Sequence, residues 1–527
     1  MNALPRLSSA VLSLLGAILL VLGWYPPFGF LLGVALVPLL VLSDRYQELG
    51  IWRFWGWVFL MFLGWNVGAI WWLWNASGWL TLGAWLANPF LQSLPVVVYL
   101  LTWRLSSGRF RFLPLVSAWL AFEWIHQFWE LTFPWLNLGN ALGAYPWAAQ
   151  WYAWTGALGG SLWILVANVL AYRVWVEQRL GVGALLAWVF LPLVVSLGMF
   201  WSFVGTGEAV EVVVVQPNLD CYEEKFAMNP QTGDPATRYV PYEAQVQRLM
   251  DLAQEQLTPQ TQLVAFPETA LHKNIDERAL FDPRNPEFGL LQRWLRQHPQ
   301  LMLITGIDSY HVYQGDEARS ITTRRTPAGI EYDKYNTALM LLSDSTHDFY
   351  RKSKLVIGAE TTPFKAALPT ALKDISGSLG TQPTRTVFAH PQTQVGVAPV
   401  ICFESVYGEF VSTYTGTDLL LVITNDGWWG DTPGHVQHLR FSQLRAIEWR
   451  RPLARSANTG ISCFIDPRGV ITASLPYGTM GALRGTVQIG DGKLTFYAQH
   501  GDYLGRLGAF LAVAFLLSAY IRKLRKV

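Results

Sequence analysis

The chain has 527 residues, of which 51% are hydrophobic and only 14% charged, with a net charge of +2. Soluble proteins carry roughly 25% charged residues, so an ordinary soluble domain is excluded, and the near-neutral balance gives no basis for nucleic-acid binding. The length implies at least two structural units, and charge separates them: residues 54–103 hold no Lys, Arg, Asp or Glu, whereas 217–360 is rich in them.

Apolar stretches near 8–24, 27–43, 54–74, 86–103, 112–130, 159–176 and 182–203 precede the polar region, and one near 504–521 follows it. Each approaches the roughly 20 residues that cross a bilayer. The first is read as a span rather than a cleaved leader, because Tyr25-Pro26-Pro27 follows it without a small-residue cleavage site. Arg6, Arg45, Arg53, Arg104, Arg109, Arg111, Arg173 and Arg179 fall at the amino terminus or beside alternate loops, and the loops near 75–85 and 131–157 have no Lys or Arg. A basic run, Arg522 to Lys526, closes the chain. The positive-inside rule then puts both termini in the cytoplasm and residues 205–503 on the far side, with eight crossings. Glu123, His126 and Glu130 stand in the fifth stretch, either lining a polar path or marking a loosely defined span end. Trp135, Tyr145, Trp147, Trp151, Tyr152 and Trp154 crowd one outer loop, a composition suited to the headgroup layer.

The polar region reads as alternating strands and helices. Strands are expected at 210–215, 263–266, 301–306, 336–342, 385–389, 395–402 and 419–424, and helices at 242–256 and 288–298. Near-continuous apolar strands between helices predict a sheet buried on both faces. Residues 462–471 read instead as a hairpin turning at Asp466-Pro467-Arg468-Gly469. The fold expected is a multi-pass α-helical membrane bundle plus an α/β sandwich domain.

Three short motifs carry the chemistry: Phe266-Pro267-Glu268-Thr269, Tyr350-Arg351-Lys352-Ser353-Lys354 and Val400-Ile401-Cys402-Phe403-Glu404. Each places an acid, a cation or a thiol at or near a strand end. A thiol nucleophile needs a base, and the oxyanion it creates needs a cation or oriented donors. Glu268, Lys352 and Cys402 supply all three. Of the other cysteines, Cys221 and Cys463 are either a disulfide or two core thiols. His435 and His438 share a helical face, where packing or capping outweighs a metal role because no third ligand is suitably spaced. Asn425 to Asp431 forms a substrate-facing loop after a strand. Arg445, Arg450, Arg451 and Arg455 either meet lipid phosphates, stay solvated or pair internally.

The three motifs resemble the Glu–Lys–Cys triad of the nitrilase superfamily. The whole chain resembles its membrane branch, the apolipoprotein N-acyltransferases of Gram-negative bacteria, including the later segment with Asn425 to Asp431, His435, His438, Arg445, Glu448, Arg451 and Asn458. Lys354 stands where that family often has histidine, and Ile357-Gly358-Ala359 departs from its usual sequence before Glu360. The resemblance implies a nitrilase-like α-β-β-α sandwich at 205–503, between a seven-span region at 1–204 and a last helix and basic tail at 504–527. It implies that Cys402 takes the sn-1 acyl chain of a phospholipid, typically phosphatidylethanolamine, as a thioester and passes it to the amine of a diacylglyceryl-cysteine in an apolipoprotein. Glu268 would be the base and Lys352 the oxyanion support. Glu360 and Glu404 would assist electrostatically, and Trp428 would face substrate. No cofactor and no metal are implied, and the enzyme would act as a monomer in the inner membrane with its catalytic domain in the periplasm. A membrane-tethered amidase and a non-catalytic transporter are the competing readings.

Overall fold

The computed structural model describes residues 6–103, 110–205, 207–367, 378–490 and 492–525. Arg104, Arg109 and Lys526, used above to orient the chain, lie outside them. The chain forms two compact units, Met1–Phe203 with Thr495–Val527, and Val204–Leu494.

The first unit is helical. Four of its helices, Leu73–Thr102, Tyr152–Glu177, Val182–Ser202 and Tyr503–Leu524, are long and apolar enough to cross a membrane. Shorter apolar helices cover Ser9–Leu22, Phe28–Asp44 and Leu113–Ile125, and Tyr46–Ala69 forms a longer helix kinked at Gly50. Ser9–Leu22 packs against Tyr46–Ala69 along a seam of small residues: a Cβ on Gly68 would lie 2.5 Å from Val21, and one on Gly64 would lie 2.9 Å from Ala17. Lipid tails are as apolar as leucine, so such helices associate through close packing rather than hydrophobic exclusion. Glu123 is buried within Leu113–Ile125, where it accepts hydrogen bonds from Trp119 Nε1 and the Leu138 amide, both 2.9 Å, and from Ser161. It thus ties a helix, a loop and a second helix together. Most of the outer-loop aromatics are buried too: Trp135, Tyr145, Trp151 and Tyr152 pack inside this unit, and of that group only Trp147 and Trp154 are exposed. An anchoring role in the headgroup layer is therefore confined to these two.

The second unit is a two-sheet sandwich. Its strands in chain order are β1 (Ala209–Gln216), β2 (Thr261–Ala265), β3 (Leu271–Asp276), β4 (Met302–Val312), β5 (Arg324–Arg325), β6 (Glu331–Leu341), β7 (His347–Arg351), β8 (Phe388–Ala389), β9 (Gly396–Ile401), β10 (Leu419–Thr424), β11 (Leu453–Ala457), β12 (Ser462–Ile465), β13 (Ile471–Leu475) and β14 (Gly481–Gln488). One sheet runs β14-β1-β2-β4-β6-β5, with β3 beside β4 and β7 beside β6; the other runs β13-β12-β11-β10-β9-β8. β1, β2 and β4 are parallel, as are β9, β10 and β11. Helices Tyr242–Gln256 and Pro286–Gln297 cover the outer face of the first sheet. Their Val246, Leu249, Phe288 and Leu291 form one core with Leu303, Ile307, Leu339 and Leu341. Ser456 on β11 joins the sheets by donating to the carbonyls of Val215 and Ala265 at 2.9 and 3.1 Å. The expected helix at 242–256 and the 462–471 hairpin are both present, whereas β3, β5, β11 and β14 lie outside the expected strands. Cys221, Cys402 and Cys463 are all buried and unbonded to one another, so the core-thiol alternative holds for Cys221 and Cys463.

Candidate active site

Glu268, Lys352, Cys402 and the Asn425–Trp429 loop each follow the carboxyl end of a strand, β2, β7, β9 and β10 respectively, the usual place for a site in an α/β sheet. The Glu268 turn lies against β4 at Gly306, where a Cβ would come within 2.6 Å of the Glu268 Cα and 2.4 Å of the Thr269 amide. Only glycine permits that approach. Lys352 is fixed to β6 by its amide, 2.8 Å from the Asn336 carbonyl.

The side chains converge in a nearly dry cluster. Lys352, 1% exposed, donates from Nζ to Glu268 Oε1 at 3.0 Å and to Glu360 Oε1 at 2.9 Å. Asn336 Nδ2 bridges the same two oxygens at 2.8 and 2.9 Å. Glu268 Oε2 accepts from the Asn425 amide at 3.1 Å, and Glu360 Oε2 from the Val356 amide at 2.8 Å. Burial alone would raise the Glu268 pKa, but the Lys352 ammonium and the donors around it hold it below the usual carboxylate value. Burial likewise opposes the charge on Lys352, and the two carboxylates override it, keeping its pKa well above that of an ordinary lysine. The Cys402 thiol interacts with Glu268 and Thr424. Burial pushes its pKa up, the Glu268 carboxylate adds to the rise, and Lys352 offsets only part of it. The resting site is therefore a thiol facing an ionised carboxylate. A nucleophilic thiolate forms only if Glu268 takes the proton.

Cys402 sits at φ +49°, where β9 turns abruptly into a 3-10 helix, Cys402–Val406. Left-handed non-glycine residues cost on the order of 1–3 kcal/mol and persist where surrounding contacts enforce them. Here Glu404 and His438 do so. Glu404, wholly buried, accepts from the Ile401 amide at 2.8 Å, the Ser353 amide at 2.7 Å and the Tyr350 hydroxyl at 2.8 Å. It clamps the Lys352 segment to the Cys402 turn, a positioning role. His438 Nε2 lies 3.0 Å from the Cys402 carbonyl, and Nδ1 lies 2.8 Å from Asp426 Oδ1. Arg455 completes this network with a 2.7 Å bond to Asp426 Oδ2.

Trp428 is half-buried in the loop after β10. Tyr222 donates to its carbonyl at 2.9 Å, and its ring packs against those of Tyr222 and Phe226. With Phe226, Ala227, Met228, Asn229 and Pro230 it lines an open, mainly apolar groove of about 480 Å³. The arginines turn inward: Arg445 pairs with Glu448, Arg455 with Asp426, and Arg451 donates to the Thr417 carbonyl, all buried. They hold the scaffold, so the lipid-phosphate alternative falls for these three. His435 pairs with Asp431 and stacks on Tyr477. No cluster fit to hold a metal ion is found among the described residues. Asn336, Lys225 and Asp308, which also surround Glu268, are not legible as site residues in the sequence: the first two stand near it only through the fold, Asn336 on β6 and Lys225 between β1 and the helix Tyr242–Gln256, and Asp308 lies within β4.

Two family models match the chain: carbon-nitrogen hydrolase over residues 231–495, and the apolipoprotein N-acyltransferase N-terminal domain over 16–170. An apolipoprotein N-acyltransferase of Shewanella oneidensis is 30% identical over 424 residues, covering 76% of this chain and 72% of that protein. The chain belongs to the apolipoprotein N-acyltransferase family. A family member from Chlorobaculum tepidum is 28% identical over 515 residues, 93% of this chain and 92% of that protein. Among solved structures, an amidase of the nitrilase superfamily from Nesterenkonia is similar at 15% identity, covering 58% of this chain and 99% of its own, with a TM-score of 0.37. Membership of this acyltransferase family makes the chain an enzyme of lipoprotein biosynthesis and a multi-pass protein of the bacterial inner membrane.

Proposed function

We propose that this acyltransferase moves the sn-1 acyl chain of a phospholipid, phosphatidylethanolamine above all, through a thioester on Cys402 to the α-amine of a diacylglyceryl-cysteine in an apolipoprotein. The observation that carries the reading is the buried Cys402–Glu268–Lys352–Glu360 cluster, with a thiol set against an ionised base.

In the first half-reaction Glu268 accepts the Cys402 proton as sulfur attacks the ester carbonyl. Lys352 spends two donors on Glu268 and Glu360, and the third has no partner among the described residues. That donor is suited to the tetrahedral oxyanion. Collapse breaks the ester C–O bond, and the proton held by Glu268 passes to the departing glycerol oxygen, leaving a thioester and a lysophospholipid. In the second half-reaction the acceptor nitrogen attacks the thioester. Its proton passes through Glu268 to the leaving sulfur, which restores the thiol and the carboxylate. Glu360 keeps Lys352 charged throughout. The groove beside Trp428, lined by Phe226 and Met228, suits an acyl chain.

The charge pattern of the sequence supports a periplasmic catalytic domain at 205–503 between seven amino-terminal spans and one carboxy-terminal span, and the reaction itself requires only one copy of the chain. The test uses phosphatidylethanolamine labelled in either the sn-1 or the sn-2 chain, with a diacylated lipopeptide as acceptor. Label is expected in an amide on the peptide from the sn-1 substrate alone, with one lysophospholipid formed per amide. Equal transfer from both positions, or release of free fatty acid in place of the amide, would overturn the reading.

A further inference from the structure

Beside the Glu268 carboxylate lies a second acidic group that the steps above do not use. Asp308 and Asn336 are register partners in the antiparallel pair β4–β6, so their side chains share a face with Cβ atoms about 4.5–5.5 Å apart. That face is the inner one: Leu303, Ile307, Leu339 and Leu341 point to the helix-side core, and strand alternation sends Gly306, Asp308 and Asn336 the other way, toward the Glu268 turn. Asn336 is 4% exposed and spends its Nδ2 on Glu268 and Glu360, while its Oδ1 is buried without a hydrogen-bond partner among the described residues. Asp308 is only partly buried, and its carboxylate takes no hydrogen bond or ion pair among the described residues. Two neighbouring acceptors without donors, one of them sealed from bulk water, cost free energy unless a ligand supplies N–H groups.

We propose that Asp308 and Asn336 Oδ1 form the seat for a primary ammonium, and that its occupant is the α-ammonium of the acceptor, which Asp308 deprotonates for attack on the acyl-enzyme. The proposal rests on the thioester reading above. An ammonium presents three N–H donors: two meet Asp308 and Asn336, and loss of the proton to Asp308 frees the lone pair for the thioester carbonyl. The balance is direct: R–NH3+ and the Asp308 carboxylate give R–NH2 and the carboxylic acid, the C–N bond forms, the C–S bond breaks, and Asp308 later returns its proton to solvent. The groups facing Asp308 suit this exchange. Burial raises its pKa, Lys225 and Lys334 lower it, and Glu268 and Glu360 raise it again, leaving it at about 7. An α-ammonium titrates near about 7.7–8.0, so the transfer is nearly balanced, the condition under which general bases work best. Lys225 keeps its own ammonium on the Glu268 carbonyl and Thr269 Oγ1, so it acts on Asp308 as a nearby charge rather than as a hydrogen-bond partner.

The ethanolamine headgroup of a donor lipid also carries a primary ammonium, so the experiment separates the two sources. Asp308→Asn enzyme is mixed with phosphatidylethanolamine or phosphatidylglycerol, and acyl-enzyme formation is timed by intact mass. The acyl-enzyme is then chased with diacylated lipopeptide or with hydroxylamine, a nucleophile uncharged at neutral pH. Asp308→Asn is expected to acylate at the wild-type rate from both lipids and to discharge normally to hydroxylamine. Its transfer to the lipopeptide is expected to slow on the order of 10²-fold and to lose the rise with pH through about 7 that is expected of the wild type. Unchanged lipopeptide transfer would overturn the proposal. Slowed acylation from phosphatidylethanolamine alone would assign the seat to the donor headgroup, and slowed acylation from both lipids would place Asp308 in the first half-reaction. Absence of any acyl adduct on the wild type would instead remove the thioester reading itself.

Discussion

The two sides of the Cys402 turn are both buried and polar, yet they are built on opposite terms. Behind the thiol, Asp426 receives His438, Arg455 and Thr424, and His438 reaches on to the Cys402 carbonyl. The Arg455 pairing and the His438 contact outweigh burial and hold the Asp426 pKa below its ordinary value. In front of the thiol, Glu268, Glu360 and Lys352 bring two carboxylates to one ammonium, and Asn336 Oδ1 and Asp308 stand without donors among the described residues. The first arrangement is satisfied and fixes a strained residue. The second is incomplete until substrate arrives, which is what a proton-transferring site requires. Burying charge in a protein is costly either way, and the comparison shows one such cost giving rigidity and the other giving chemistry.

The contrast breaks most sharply at Glu268. Glu268→Gln keeps the shape and the contacts with Asn336 and Lys352 but removes the proton acceptor. Turnover is expected to fall by about 10²–10⁴-fold, with secondary structure and thermal unfolding little changed. In the wild type the same group sets an acid limb: because its pKa is depressed, the active carboxylate is lost only as pH falls below the usual Glu value of about 4.3. A limb at or above that value in single-turnover acylation would contradict the assignment. A smaller effect is expected at His438. His438→Ala deprives the Cys402 carbonyl of a buried donor, leaving Ser405 in place. A loss of about 1–3 kcal/mol in unfolding free energy and a drop of roughly 10-fold in acylation should follow, with the pH limb unmoved. A shifted limb would mean that His438 takes part in proton transfer.

Much of this molecule is legible in its sequence. Uncharged stretches of membrane length and apolar strands alternating with helices indicate the bundle and the sandwich, because burial leaves a periodic trace in composition. Glu268, Lys352 and Cys402 could be picked out because each ends a strand in a short, distinctive motif. Asn336 and Asp308 could not, since they lie within β6 and β4, and only the pairing register sets them side by side. β14 was missed for a similar reason: its partner β1 begins the domain, and its half-exposed pattern has no local apolar run. For Arg445 and Arg455 the sequence leaves lipid contact and internal pairing open, because it shows their charge but not the Glu448 and Asp426 that neutralise it in the core.

The central claim is that the Cys402 sulfur carries the acyl group between two substrates. Intact mass of the purified protein after exposure to phospholipid, without acceptor, tests it most directly. Wild type should gain the mass of one acyl chain, localised to Cys402 and removed by hydroxylamine, and Cys402→Ala should gain nothing. An acyl mass on Cys402→Ala equal to that on wild type, or transfer to the lipopeptide with no adduct at any time, would contradict the account.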